Sequence, residues 1–400
     1  VGRISHKLDK FRPSLTLALK MMAAEREKKN LPVYDFGLGE AKGNLSKTLK
    51  AAGVAAYEKE LTMYTDPAGM PELREAILSY LDLNSHYGSE HVVVTSGAKQ
   101  GLFNIFMAIC DPGDIVLFDA APWVSYAPLA HCTYATPIMV LPLEQDEKNY
   151  LKVTPGDLVR NLKLRPHTRL FLINSPCNPT AQVYSKEELD ALLDVCVDYK
   201  VYMVLDRLYW RLMFDGEAFP EPEINDRTKP WLIQVDGMSK NFERAGGLRI
   251  GWTIAPEDVS RAMVNIQSHY TSGPTTVSQN VALSAVSSPY DTSLVKDLAQ
   301  KRTLFLDALK KVPDISSFPI PATFYSFWDV KKLFGKRTPD GIELCDSDDV
   351  SQYLLDSGGV ITGSGCGFLQ DGYLRICFAT SDETIKEGLA ATEKAVRALS

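Results

Sequence analysis

Short, β-branched apolar runs recur through the first two-thirds of the chain. They are HVVVTSG from His91, DIVLFDA at 114–120, TYATPIMVL at 133–141, RLFLIN at 169–174, VYMVLD at 201–206, WLIQV at 231–235 and LRIGWTIA at 248–255. Between most of them the apolar positions fall at helical spacing, most clearly in GAKQGLFNIFMAIC and KEELDALLDVCVDY. Such runs, alternating with helices, predict a mostly parallel seven-stranded sheet covered by helices on both faces. After Pro274 the texture changes to long helical patterns, TTVSQNVALSAVSS and then LVKDLAQKRTLFLDALKKV. They lead into a smaller α+β part with strands in ATFYSFWDV, GVITG and YLRICFAT, closed by the amphipathic helix DETIKEGLAATEKAVRAL. A further helix is predicted in LTLALKMMAAEREKK, near the Pro13-Ser14 start signal, and the polar stretch 334–349 reads as a mobile loop.

Composition adds boundaries to this picture. Four hundred residues exceed what one hydrophobic core usually organises, so two domains are expected. With 45% hydrophobic and 23% charged residues the chain is an ordinary globular one. A net charge of -7 without a Lys/Arg run argues against nucleic acid or anionic membrane as a partner. No apolar run reaches the ~18 residues of a membrane span, and VGRISHKLDKF has no apolar core of a secretory signal. Seven scattered cysteines with no C-x-x-C point to a reducing, cytoplasmic setting and no structural metal.

Ligands of parallel sheets sit off the strand carboxyl ends, and that is where Ser96, Asn174, Asp206 and Lys240 fall. An amine becomes a nucleophile at neutral pH only when burial or nearby cations depress its pKa. A carboxylate closing a buried run, as Asp206 does, needs a cation beside it. The turn Gly97-Ala98-Lys99, opening a helix, offers backbone amides to an anion, and Arg249 could join them. Tyr209 and Asn178 could bond a phenolate oxygen, and Trp123 offers a face for stacking. Glycines 37 and 39 permit close backbone approach to a ligand. Aldehyde, pyridine, phenolate and phosphate together describe pyridoxal 5'-phosphate.

The chain resembles the class I aminotransferases of the aspartate aminotransferase superfamily, pyridoxal-phosphate enzymes of fold type I. The motifs that carry the resemblance are YTDPAGMPELR (64–74), TSGAKQ (95–100), PWVSY (122–126), NSPCNPT (174–180), DRLY (206–209), SKNF (239–242), RIGW (249–252), TFYSF (323–327) and GYLRICFA (372–379), in family order. The resemblance implies a large cofactor-binding domain over 46–285 and a small domain from 1–45 and 286–400. It also implies a role for each matching residue. Lys240 forms the Schiff base and then shuttles the proton; Asp206 holds the pyridinium; Asn178 and Tyr209 bond the ring 3-oxygen; Trp123 stacks on the ring. Gly97, Ala98, Lys99 and Arg249 hold the phosphate, with Tyr64 reaching it from a second subunit of a homodimer. Arg375 takes the substrate α-carboxylate, with Gly39 and Asn174 beside it.

The implied activity is ping-pong transfer of the α-amino group of an L-amino acid, aspartate-type or broad and aromatic, to a 2-oxo acid. Other pyridoxal-phosphate chemistry on the same scaffold is an alternative: C–S β-elimination, cyclopropane-forming elimination or amino-acid oxidation. A non-enzymatic regulatory module is a remoter one, and such a module would carry a DNA-binding extension.

The sequence departs from the family pattern in several places. Ala181 replaces the usual glycine after NPT, and Arg207 replaces the glutamate after the strand-end aspartate. Gly237 replaces a phosphate-binding serine, and Arg249 lies one residue further than usual from Lys240, which leaves Arg244 as a competitor. The side chains of Lys99 and Arg207 are expected to be solvated or paired, His269 to be structural or at the rim, and Tyr325 to serve as pocket wall as readily as catalyst.

Overall fold

The computed structural model describes residues 15–41, 43–143, 150–242 and 244–400. The chain first places β1 (Tyr34–Asp35), after the helix Leu15–Lys28; the expected Pro13-Ser14 start of that helix lies outside the described residues. It then lays down β2 (Val92–Thr95), β3 (Ile115–Phe118), β4 (Thr136–Met139), β5 (Thr168–Asn174), β6 (Tyr202–Asp206), β7 (Leu232–Gly237) and β8 (Gly251–Ile254). These form one seven-stranded sheet in the order β2-β8-β7-β6-β5-β3-β4, parallel except for β8, which runs antiparallel to both neighbours. The predicted α/β fold class is therefore the observed one.

Period-two alternation puts successive strand residues on opposite faces. Val116, Phe118, Leu170, Leu172, Val204 and Ile233 pack into one core, while Leu117, Phe171, Ile173, Met203, Leu205 and Leu232 pack into the core on the other side. Both faces are therefore dry, which is why these strands read as continuous apolar runs.

Several strands are shorter than their runs. The run at 133–141 begins as the end of the helix Tyr126–Cys132, whose last turn Thr133 closes through its N–H to the Ala130 carbonyl. The run at 248–255 begins as a tight turn, Gly246–Leu248, and pairs only from Gly251.

The second unit has an antiparallel sheet in the order β12-β13-β10-β9, built from β9 (Ser316–Ser317), β10 (Tyr325–Asp329), β12 (Gly363–Ser364) and β13 (Tyr373–Cys377). The short β11 (Val360–Ile361) pairs in parallel with β1, which ties the N-terminal segment to this unit. Its core includes Phe305, Phe324, Trp328, Leu374 and Ile376, and it also takes in Ala181, Tyr209 and Leu212 from loops of the large sheet. The helical stretch after Pro274 is two helices, Thr276–Val286 and Ser293–Leu309. The stretch 334–349, expected as a mobile loop, is pinned: Arg337 bridges Glu343 and exchanges both backbone bonds with Ser400.

Two departures from the expected pattern have local explanations. Ala181 does adopt the left-handed backbone that a glycine would favour, at φ 62. Its methyl is fully buried in the second core. Burying a methyl recovers about 0.8 kcal/mol, comparable with the ~1 kcal/mol strain of that conformation. At Gly237, a Cβ would stand 2.8 Å from both Gly251 Cα and the Ile250 carbonyl, so no serine fits at this strand crossing.

Candidate active site

The carboxyl ends of β5, β6 and β7 meet at a cavity of about 370 Å³. Because β8 runs antiparallel, it starts at the same edge where β7 stops, and so Arg249 is delivered beside Lys240. The extra residue between them is absorbed by the turn at Gly246–Leu248, with Arg249 itself left-handed at φ 56. Gly39, Ala98, Lys99, Trp123, Asn174, Asn178, Asp206, Tyr209, Lys240, Arg249 and Arg375 all line this cavity. Gly97 adjoins it through Arg249; Tyr64 does not reach it. Arg244 is exposed and donates to the Gly43 carbonyl at 3.0 Å, away from the cavity wall. His269 is exposed on the helix Glu257–Tyr270 and is likewise no part of the lining.

Asp206 is 5% exposed, and burial pushes its carboxyl up to about 6. It accepts hydrogen bonds from the Tyr126 hydroxyl at 2.7 Å and from the Leu208 N–H at 3.2 Å. Neither donor is a cation, so the carboxylate is held in place but its charge is not neutralised. A protonated ring nitrogen entering the cavity would supply the missing positive charge. Behind it lies Asp119, pushed up to about 8 by burial and also raised by Asp206. One oxygen of Asp119 accepts the Asn174 N–H at 3.0 Å, and the other has no partner among the described residues.

Lys240 stands on the short helix Met238–Asn241 just past β7. Burial depresses its amine to about 8, and the nearby guanidiniums of Arg375 and Arg249 act in the same direction. Roughly a tenth of it is then neutral at pH 7, far more than for a solvated lysine. Its Nζ donates to the Gly39 carbonyl.

The anion end is built from backbone. The helix Ala98–Ile109 points its first N–H groups at the cavity. A Cβ on Gly97, which sits at φ 83, would stand 2.5 Å from Arg249 Nη2, and one on Gly251 would stand 2.3 Å from the Ala98 nitrogen. The two glycines thus let guanidinium, helix start and strand crossing converge. This cradle, the neutralisable amine and the cation-seeking carboxylate fit the phosphate, aldehyde and pyridine of pyridoxal 5'-phosphate.

On the opposite wall, the Tyr209 hydroxyl lies 3.4 Å from Asn178 Nδ2 and 3.2 Å from the Tyr325 hydroxyl. Arg375 Nη1 donates to Asn178 Oδ1 at 3.3 Å and Nη2 to the Gly37 carbonyl at 2.6 Å. Its Nε is buried without a partner among the described residues, a donor available to a carboxylate. Trp123 is half-buried, edge-on to Tyr126 at 5.5 Å, with Lys99 Nζ 4.9 Å above its ring.

Asn174 lines the cavity, but its carboxamide is engaged within the chain. It donates to the Asp206 carbonyl at 2.9 Å and accepts the Asn178 N–H at 2.7 Å. Arg207, expected to be solvated or paired, is fully buried and paired, bonded to Glu221 and to Gln234 and stacked over Trp210. In the sequence Tyr126 stands out only as the end of the motif PWVSY, and Asp119 not at all. The spacing of Trp123 and Tyr126, one helical turn, was the available signal for the former; for Asp119 there was none.

A fold of this topology with this lysine, carboxylate and anion cradle defines a pyridoxal-phosphate-dependent enzyme of fold type I. The family model "Aminotransferase class I and II" matches residues 27–391. A "Probable aspartate/prephenate aminotransferase" of Rickettsia felis is 32% identical over 405 residues, covering 99% of this chain and 97% of the relative. The "Aspartate aminotransferase" of Geobacillus stearothermophilus is 30% identical, covering 96% of each. Among solved structures, the aspartate aminotransferase from Rhizobium meliloti superposes with a TM-score of 0.93 at 29% identity, covering 100% of both chains. That of Thermus thermophilus, solved with maleate, gives 0.88 at 29% identity, covering 99% of this chain and 100% of that one. The chain belongs to the class I and II aminotransferases, and it is a pyridoxal-phosphate-dependent transaminase.

Two outcomes follow from the buried carboxyls. Asp206→Asn keeps size and hydrogen bonding but removes the countercharge; cofactor is retained while turnover falls by about 100-fold or more, measured as single-turnover rates, and an unchanged rate contradicts this role. Asp119 and Asp206 are raised from an unfolded value near 4 to about 8 and about 6. Their protonated forms are therefore favoured by folding, and that stability is complete below pH ~4 and lost as pH rises through ~6 to ~8. Urea unfolding of the cofactor-free chain should show this loss, and Asp119→Asn, which can still accept the Asn174 N–H, should flatten its upper part.

Proposed function

We propose that this transaminase takes an acidic amino acid of the aspartate type as donor, passes its amino group to a 2-oxo acid in two half-reactions, and works as a homodimer. The observation that carries the donor assignment is the position of Lys99. Among the described residues, four cationic side chains line the cavity: Lys99, Lys240, Arg249 and Arg375. Lys240 is committed to the aldehyde, Arg249 to the phosphate cradle and Arg375 to the α-carboxylate, which leaves the Lys99 amine for a second carboxylate. Lys99 is exposed, as expected, with its Nζ over the Trp123 ring; partial desolvation, and then the charge of Arg249, lower its pKa, so an anion beside it is favoured. The names of the relatives, and the dicarboxylate maleate in the Thermus thermophilus structure, support this reading.

Bound in the cavity, the cofactor supplies an aldehyde and an electron-withdrawing ring. The chain's residues do the rest. Asp206 would hold positive charge at the ring nitrogen, Tyr209 and Asn178 would bond the 3-oxygen, and Trp123 would pack against the ring. Arg375 would orient the donor by its carboxylate, and the Lys240 amine would carry the proton at the donor's α-carbon.

Support for the dimer is at the surface. Tyr64 is 96% exposed and Met63 83%, beside Tyr57 and Val54, in a depression away from the chain's own active site. An apolar patch of this kind is an interface signature, and in a second copy it would put Tyr64 at the neighbouring phosphate cradle. No described helix is long and apolar enough to cross a membrane, and seven free cysteines fit a reducing cytoplasm.

The test is a panel of amino donors, with each half-reaction followed by cofactor absorbance. Aspartate should convert the holoenzyme, and Lys99→Met should cost aspartate roughly tenfold or more in kcat/KM, the weight of one charged hydrogen bond, while leaving aromatic donors within about threefold. An equal loss for every donor would move Lys99 to the cofactor and remove the basis of the acidic-donor reading.

A further inference from the structure

The Tyr325 hydroxyl takes part in none of the roles above, yet it stands in the middle of them. Tyr325 is 1% exposed, on β10, with Cys377 as its cross-strand partner. Its hydroxyl is 3.2 Å from that of Tyr209, and Arg375 lies over its ring at 5.0 Å. Gly39 makes room for it: a Cβ there would stand 2.3 Å from the Tyr325 oxygen.

We propose that Tyr325 is a positioning residue for transamination, whose hydroxyl donates to Tyr209 and so aims the Tyr209 proton into the cavity. Donors and lone pairs at the Tyr209 oxygen must balance. Tyr209 has one proton and two lone pairs on its oxygen. Asn178 Nδ2 can only donate, and it takes one lone pair. With Tyr325 donating, the second lone pair is filled, and the Tyr209 proton is left for an acceptor in the cavity.

The direction of the tyrosine pair follows from its surroundings. The groups facing Tyr325 are Arg375 and Cys377 on β13 and Tyr209 from the loop after β6. The guanidinium lies over the Tyr325 ring and favours negative charge there, while no cation lies over the Tyr209 ring among the described residues. The more acidic phenol is the donor. A hydroxyl that accepts a bond is also polarised into a stronger donor, so the charge of Arg375 is relayed through two hydroxyls to the ring 3-oxygen.

This rests on Tyr209 facing that oxygen, and the experiment separates the two claims. A donor at the 3-oxygen stabilises its negative charge and loosens the proton shared with the Lys240 nitrogen, so losing the donor raises the pH midpoint of the visible absorbance of the reconstituted holoenzyme. Tyr209→Phe should raise the midpoint. Tyr325→Phe should raise it by roughly 0.3–1 unit, the size of one net hydrogen bond. Adding Tyr325→Phe to Tyr209→Phe should then change nothing more. Gly39→Ala, which displaces the Tyr325 hydroxyl while keeping it, should shift the midpoint in the same direction. A wild-type midpoint in Tyr325→Phe beside a shifted Tyr209→Phe overturns the proposal, as does a shift that adds in the double variant. An unshifted Tyr209→Phe overturns the placement of Tyr209, and the proposal with it.

Discussion

A buried carboxylate held at the cavity wall without a cation is the constraint that orders this site. Asp206 is fixed by a tyrosine hydroxyl and a backbone N–H, and these set its orientation without cancelling its charge. Moving an ion out of water without a countercharge is expensive enough that the group protonates instead, which is the upward displacement seen here. Any ligand that brings a ring cation to this point gains what the folded chain lacks. The same burial that penalises the carboxylate also depresses Lys240, so one low-dielectric cavity produces both the seat for a cationic ring and an amine able to attack its aldehyde.

The sheet topology makes this arrangement possible. Three parallel strands end at the cavity, and the single antiparallel strand between β2 and β7 begins there. Close packing at Gly237 and Gly251 brings backbone to backbone, and at Gly97 brings backbone against the Arg249 guanidinium, where a side chain would intrude. The second unit contributes Tyr325 and Arg375 from neighbouring positions of one antiparallel pair. The site is therefore closed by two cores, and Tyr209 packs into the second while its hydroxyl serves the first.

Much of this could be read along the chain. Buried strands announce themselves as β-branched runs, and polar residues at their carboxyl ends mark the ligand edge; Asn174, Asp206 and Lys240 were legible in this way. What sequence could not give is which strand ends lie side by side. The relation of Asp119 to Asn174 crosses from β3 to β5, and that of Tyr126 to Asp206 spans 80 residues. Asn174 illustrates the limit differently. Its place at the cavity was legible, but its carboxamide is consumed by the Asp206 carbonyl and the Asn178 N–H, partners that only the folded arrangement brings to it. Arg207 was an anomaly in the pattern until Glu221 and Gln234 appeared around it.

The chemistry of this site depends on one covalent attachment at one amine. The direct measurement is to incubate the purified chain with pyridoxal 5'-phosphate, reduce with borohydride and map the labelled peptide by mass spectrometry. The prediction is a single stoichiometric modification at Lys240, lost in Lys240→Ala. A label on another lysine, or a chain that stays colourless and unlabelled, would contradict it.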